Sequence, residues 1–467
     1  MLLPIKIYPD PILKTKSKKI DKIDDEIKNF CNSLKNTLEL DKIRLGLSAN
    51  QVGKDWRIIA VKEKGGTYII INPEIVEKSN DMIKLEEGCL SFPDIFGKVN
   101  RHKTIKIKGL TPEGKKLKLT KSDLTSVIFQ HEIDHINGIV FIDRADKNTL
   151  HKYKYEKKLD VVFLGNSEFS LTALQSLAKN PKINISYVVC GCDKKCGRGQ
   201  KQSCSPVKIA ADKLGIPIIE TNDINSPDAE KMLEIIDPDY YVTASYGQIL
   251  KPWLLYDNNK KSRAINIHPS LLPNYRGATP IQSALLNGDE KTGITIMLMT
   301  EGLDEGPILD QETIDILDSD NATFLFEKTA KLSGQKITNV LLKYHEGKTE
   351  PKKQKNSEAT FSKKITAADA KIDFKNDAKT IVNKIRAFSI WPKTYCMFGE
   401  KRIKILDARF SNEKIELGVV KKTDDKILVG TKSGSIEILK VQIEGKAPVG
   451  IKAFISGYSN FVGSKLL

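Results

Sequence analysis

Gln130-His131-Glu132-Ile133-Asp134-His135 sets two histidines four residues apart, and no other feature constrains the chain as tightly. On a helix, positions i and i+4 share a face, so both imidazoles reach one ion only if this stretch is helical. A third donor must then come from a distant part of the chain, and Cys89 in Glu87-Gly88-Cys89-Leu90-Ser91 supplies it. One thiolate and two imidazoles leave a tetrahedral ion with an open position for water, the arrangement of a catalytic site and not of a closed structural one. Glu132, between the two histidines, is placed to move a proton. The plain alternative makes His131 and His135 ordinary helix residues and Cys89 a small core residue. A further glycine-bearing stretch that presents a polar amide, Leu45-Gly46-Leu47-Ser48-Ala49-Asn50-Gln51-Val52-Gly53, weighs against it.

At 467 residues the chain has room for about three domains. Hydrophobic residues make up 40%, enough for real cores, yet no apolar run approaches the roughly 20 residues of a membrane helix. The opening residues lack the charged and apolar regions of a signal peptide. The seven cysteines are an odd number, which argues against a disulfide framework. The expected location is the cytoplasm, away from membranes.

Three blocks are expected: an α+β domain over 1–157, a doubly wound, Rossmann-like α/β domain over 158–355, and a small OB-like β-barrel over 356–467. The first carries a helical pattern at Ile27, Phe30, Leu34 and Leu38, then short β-like runs, then a helix near 124–137. In the second, Val161-Val162-Phe163-Leu164-Gly165 is a short apolar run ending in glycine, as when a buried parallel strand turns into a helix. In the third, one helical piece at 378–388 precedes short strands.

The second block has its own constellation. Asn266 and His268 in Ala264-Ile265-Asn266-Ile267-His268-Pro269 alternate at the end of an apolar strand and so face one side. That edge is where a doubly wound sheet places its ligand. Gly302-Leu303-Asp304-Glu305-Gly306 supplies an acid held between glycines. An amide can donate to an oxyanion, an imidazole can stabilise it and shuttle a proton, and a carboxylate can orient the imidazole. Taken singly, each has an ordinary structural explanation.

Residues 1–157 resemble the peptide deformylases. The resemblance implies that Cys89, His131 and His135 hold one divalent metal, with Fe2+ favoured and Zn2+ or Ni2+ as substitutes. It implies Glu132 as base and then acid, and Gln51 with the Leu90 N–H as oxyanion donors. Leu45, Val127 and Ile128 would form the pocket for the methionine of an N-formyl-Met nascent peptide, Gly46 would be a further substrate contact, and Arg101 would lie near the peptide backbone. Arg44 stands where that family has glycine, and Asn50 where it has proline or threonine, which bears on substrate range.

Residues from 159 onward resemble the enzymes that transfer formyl from 10-formyltetrahydrofolate. Asn166-Ser167-Glu168-Phe169 and Ile385-Arg386-Ala387-Phe388-Ser389-Ile390-Trp391-Pro392 resemble stretches of those acting on methionyl-initiator tRNA. Asn266, His268 and Asp304 would be catalytic. Tyr246, Gly247, Gln248, Ile249 and Leu250, with Ser270, Leu271, Leu272 and Pro273, would hold the folate. Arg198 and Lys201 match a basic loop at the tRNA acceptor end, although four cysteines (Cys190, Cys192, Cys196 and Cys204) crowd that loop; a small zinc site and a cysteine-rich loop both remain open there. Charge agrees with an RNA partner for the third block. Residues 341–467 carry 26 Lys/Arg against 14 Asp/Glu, a net +12, while residues 151–340 carry 22 against 24, a net −2. The ribosome surface is a further expected partner. The alternatives are an amino-sugar acceptor for the second half, or one half acting only as a docking module.

Overall fold

The computed structural model describes the chain except residues 1, 41–43, 64, 154–157, 193, 197–200, 258 and 260 and the side chains of 194–196 and 201–203. It divides into two compact units. One holds 1–164 with 181–239, the other 165–180 with 240–467. No helix among the described residues is long and apolar enough to cross a membrane.

In the first unit the helix Asp25–Glu39 starts where the Asp24 side chain accepts from the Ile27 N–H, with Asp25 and Glu26 in its first turn. Ile27, Phe30, Leu34 and Leu38 form its buried face. A five-stranded antiparallel sheet follows in the order Gly46–Ser48, Ile58–Glu63, Gly66–Lys78, Thr104–Leu110, Lys116–Ser122. The helix Asp123–Ile136 lays Phe129, Ile133 and Ile136 on its Ile59, Val61, Ile70, Ile105 and Ile107. The hairpin Met82–Cys89 and Phe92–His102, extended by His151–Lys152, makes a separate three-stranded sheet. This hairpin, which the sequence pattern does not announce, carries Cys89 at its turn.

The first unit also contains three parallel strands, ordered Ile218–Glu220, Ile183–Cys190, Leu159–Gly165. Lys152 and Asp160 form an ion pair there whose side chains are 2% and 8% exposed. Asp160 also accepts from Asn184 Nδ2.

In the second unit Tyr240–Ala244 runs parallel to Ala264–His268, and two antiparallel strands follow, Lys291–Leu298 and Ile308–Asp315. The expected doubly wound order thus ends in an antiparallel pair. The helices Glu168–Lys179 and Ala322–His345 approach closely at Gly334, where a Cβ would stand 2.7 Å from the Thr172 carbonyl oxygen.

The last sheet runs Tyr395–Phe398, Lys401–Ser411, Ser435–Ile443, Lys426–Gly430, Val420–Thr423, with Val449–Gly450 beside Ser435–Ile443. Residues 464–467 bridge its two outer strands. The Leu467 carbonyl accepts from the Met397 N–H, and the Ser464 carbonyl accepts from the Val420 N–H. The half-barrel is closed by this short strip. The helix Ala378–Ala387 contributes Ile381 and Ile385 to its core.

Candidate active sites

The helix Asp123–Ile136 presents His131 and His135 one turn apart, and the hairpin turn brings Cys89 to them. The Cys89 Sγ is 3.2 Å from His135 Nε2, which is 3.2 Å from His131 Nε2. All three donor atoms lie within 4.8 Å of one another. That donor set, soft sulfur with two imidazoles, fits a zinc- or iron-type ion.

A polar scaffold stands behind the donors. Glu87 Oε2 is 2.8 Å from His131 Nδ1, which orients the ring so that Nε2 faces inward. Arg101 grips the same carboxylate through Nε and Nη2 at 2.8 and 2.9 Å and also pairs with Asp134. Arg144 holds Asp134 from outside. Arg101 is 3% exposed and is absent from the cavity wall. The expected peptide contact at Arg101 is therefore corrected: strand pairing turns its guanidinium inward, where it neutralises two buried carboxylates. Burial alone would raise the pKa of Glu87, but Arg101 and His131 outweigh it and hold it at about 2. Burial likewise opposes a charged His131, yet bonds to Cys89 and Glu87 keep its pKa well above the ordinary imidazole value. His135 is driven well below that value by burial and then by its charged neighbours.

Glu132 is 3% exposed, and burial raises its pKa to about 7 against the pull of His131. Its Oε2 has no hydrogen-bond partner among the described residues. It faces a cavity of about 610 Å3 that also touches Cys89, His131, Gln51 and Leu90. Gln51 Nε2 points to Cys89 Sγ and Ser91 Oγ, each at 3.3 Å, while its Oε1 accepts from the Ser48 N–H and Oγ. The amide orientation is thereby set, donor end toward the thiol. Arg44, Leu45, Gly46, Val127 and Ile128 line the same cavity, together with Leu124 and Phe92, so these expected side chains do converge.

In the second unit Asn266 and His268 leave the strand Ala264–His268 on one face and meet Asp304. Asn266 Nδ2 is 3.4 Å from Asp304 Oδ1, and His268 Nδ1 is 3.6 Å from Oδ2. The Tyr275 carbonyl lies 2.9 Å from His268 Nε2. A carbonyl only accepts, so Nε2 carries the hydrogen and Nδ1 is the atom turned to Asp304. Thr243 Oγ1 donates to Asn266 Oδ1 at 2.7 Å, which aims the amide N–H groups at Asp304. Asp304 sits at φ 48°, and its loop is held by Gln354, whose Nε2 donates to the carbonyls of Asp304 and Gly306 at 2.9 and 2.8 Å. The Gly277 N–H donates to Asp304 Oδ2 at 2.8 Å.

The neighbouring segments differ in what they offer. Tyr246 and Leu250 are buried, whereas Ile249 is 82% exposed. Gly247 takes φ 82°, which favours glycine. Ser270 Oγ donates to the Asn274 carbonyl, and the Leu272 N–H and Ser270 carbonyl both engage Thr295 Oγ1. Ser270 and the buried Leu272 thus brace their own loop, and Leu271 and Pro273 flank them. Arg198 lies outside the described residues, and so does the side chain of Lys201.

Sequence reasoning missed Glu87 as an orienting group, although it stands two residues before Cys89, and Thr243, which lies on the strand Tyr240–Ala244. It had no signal for Gln354, which arrives from a loop fifty residues beyond Asp304.

Among known families, the polypeptide deformylase family matches residues 2–151, the formyl transferase family 158–341, and the formyl transferase C-terminal domain 364–459. The methionyl-tRNA formyltransferase of Caldanaerobacter subterraneus subsp. tengcongensis is 38% identical over 304 residues, 64% of this chain and 97% of its own length. That of Thermodesulfovibrio yellowstonii is 36% identical over 297 residues, 64% of this chain and 95% of its own. The solved peptide deformylase of Thermotoga maritima is 34% identical with a TM-score of 0.31, covering 31% of this chain and 99% of that one. The deformylase of Plasmodium falciparum is 39% identical with a TM-score of 0.30, covering 31% and 87%.

Proposed function

The chain belongs to the polypeptide deformylases in its first third and to the methionyl-tRNA formyltransferases in the remainder, and on that premise we propose how one bifunctional translation enzyme divides its chemistry. The proposed domains are 1–157 for deformylation, 158–355 for formyl transfer and 356–467 for tRNA. The observation that carries the reading is the convergence of two separate trios, each on its own centre.

In the first site Cys89, His131 and His135 hold one divalent metal, Fe2+ by preference. When bound, that ion supplies Lewis acidity and draws the pKa of water toward about 7. Leu45, Val127 and Ile128 accept the methionine side chain of an N-formyl-Met peptide, and Arg44 sets the charge at the wall. Glu132 takes a proton at Oε2 from the water whose oxygen adds to the formyl carbon, and the formyl C–N bond then breaks to release formate. Glu132 returns that proton to the leaving amine. Gln51 Nε2 and the Leu90 N–H stabilise the oxyanion formed at the formyl carbon.

In the second site the amine of methionyl-initiator tRNA attacks the formyl carbon of 10-formyltetrahydrofolate. Asn266 donates to the oxyanion, His268 stabilises it and carries the proton from the attacking amine to N10 of tetrahydrofolate, which leaves as the C–N10 bond breaks, and Asp304 orients the imidazole. The 246–250 segment and the 270–273 loop flank the pterin. The basic third domain, with Arg198 and Lys201, grips RNA phosphates. The enzyme works in the cytoplasm and meets nascent peptides at the ribosome surface.

Two assays on the intact protein test the reading: release of formate from a formyl-Met peptide, and formylation of charged initiator tRNA. Glu132→Ala should abolish the first and spare the second; His268→Ala should do the reverse. Formylation of an amino-sugar nucleotide in place of tRNA would transfer the second site to another acceptor class.

A further inference from the structure

Cys89, Leu90, Phe92, Pro93 and Asp94 line one wall of the deformylation cavity, with Ser91 buried behind them, and much of the hold on this segment comes from residues in the formyl transferase portion. Tyr187, on the strand Ile183–Cys190, is fully buried and donates its hydroxyl to the Pro93 carbonyl. Asp228, on the helix Pro227–Ile236, accepts from the Tyr8 hydroxyl. Tyr8 in turn donates its N–H to the Ser91 carbonyl at 3.0 Å and stacks on Phe92 with centroids 4.9 Å apart. Ser91 Oγ is one of the two atoms that Gln51 Nε2 faces. A continuous path therefore runs from Asp228 through Tyr8 and Ser91 to the oxyanion amide, and a shorter one from Tyr187 to Pro93.

Ordinary packing between neighbours would need only apolar contact. Here two buried hydroxyls are matched to acceptors that position the wall segment itself, from either side of Phe92. Lys231 adds a third link by joining Lys14 on Asp143. All these residues fall within one compact unit, which unites 1–164 with 181–239.

We propose that Tyr187 and Asp228 are positioning residues for deformylation: the second enzyme sets the oxyanion wall of the first. Neither touches the peptide. Each acts through the main chain of Ser91–Pro93, which carries Gln51's partner and adjoins the Leu90 N–H. The proposal rests on the assignment of deformylation to the Cys89 cavity. Sub-ångström placement of donors matters more to the transition state than to the bound substrate, so the effect should fall on kcat.

The test uses the full-length protein at matched metal content and a formyl-Met tripeptide. Tyr187→Phe keeps the ring and deletes the donor; it should lower kcat about three- to tenfold with KM little changed. Asp228→Ala should do the same, and Asp228→Asn, which still offers an oxygen acceptor, should restore kcat. Formylation of charged tRNA should be unaffected in all three. Unchanged kcat in Tyr187→Phe and Asp228→Ala would overturn the proposal. So would a loss that merely follows loss of bound metal, or one that Asp228→Asn fails to recover. Glu132→Ala serves as the separate control: if it deformylates normally, the cavity assignment has failed, whatever the other variants do.

Discussion

The carboxylate of Glu132 fills the space beside the bare Cα of Gly46: a Cβ there would stand 2.2 Å from Glu132 Oε1. No real contact is that short, so any other residue at position 46 must displace the group that moves the proton. Gly46→Ala should leave the fold intact, at a cost of about 1–3 kcal/mol for overpacking, yet depress deformylation about a hundredfold by misplacing the base. Formate release measured beside a thermal melt checks this; normal turnover would mean that Glu132 works from another rotamer.

Glu132 also predicts a pH dependence in the metal-free protein. Its pKa is raised from 4.5 to about 7 in the fold. Between those values the folded state keeps a proton that the unfolded chain has released, so the contribution to stability is full below 4.5 and declines as pH rises toward 7. Urea melts of the metal-stripped protein across pH 5–8 should lose stability along this limb. Glu132→Gln, which does not titrate, should flatten it relative to the wild type.

Arg101 neutralises Glu87 and Asp134 together out of water. Arg101→Leu leaves Glu87 buried without its cation, a change worth about 3–5 kcal/mol. It also frees the carboxylate that orients His131, which should weaken metal binding about 10–100-fold. Metal content after dialysis and the melting temperature should fall together, and KM for peptide should not be the parameter that moves first, because Arg101 is off the cavity wall.

In the second site Asp304→Asn keeps a residue that tolerates φ 48° but removes the charge facing His268 Nδ1. Formylation should drop about 10²–10³-fold with tRNA affinity retained, as read by a filter-binding titration. Gln354→Ala should give a smaller loss of the same kind, since it releases the loop while sparing the carboxylate. Equal binding and equal rate in Asp304→Asn would remove the carboxylate from the mechanism.

Much of both sites can be read from periodicity alone. His131 and His135 are spaced by the helix, and Asn266 and His268 by the strand, because local geometry dictates which side chains share a face. Asp304 is legible through its flanking glycines. Arg101 is not, because its direction depends on pairing between Met82–Cys89 and Phe92–His102, whose alternation is interrupted by the Glu86-Glu87-Gly88 run and Pro93. Gln354 has no pattern around it and gains its role only from where the 350–360 segment returns. The third domain's strands are visible as short β-rich runs, but the strip at 464–467 is too brief to register, and what it closes depends on two strands far apart in the chain.

Lys152 and Asp160 stand on either side of the border expected between the first two blocks, and each cancels the other's charge away from water. Splitting the chain at that border would part this pair and open to water the surfaces that now enclose it. Each fragment should then be less soluble alone than when both are expressed together, so that the two catalytic portions behave as one folding unit and not as exchangeable modules.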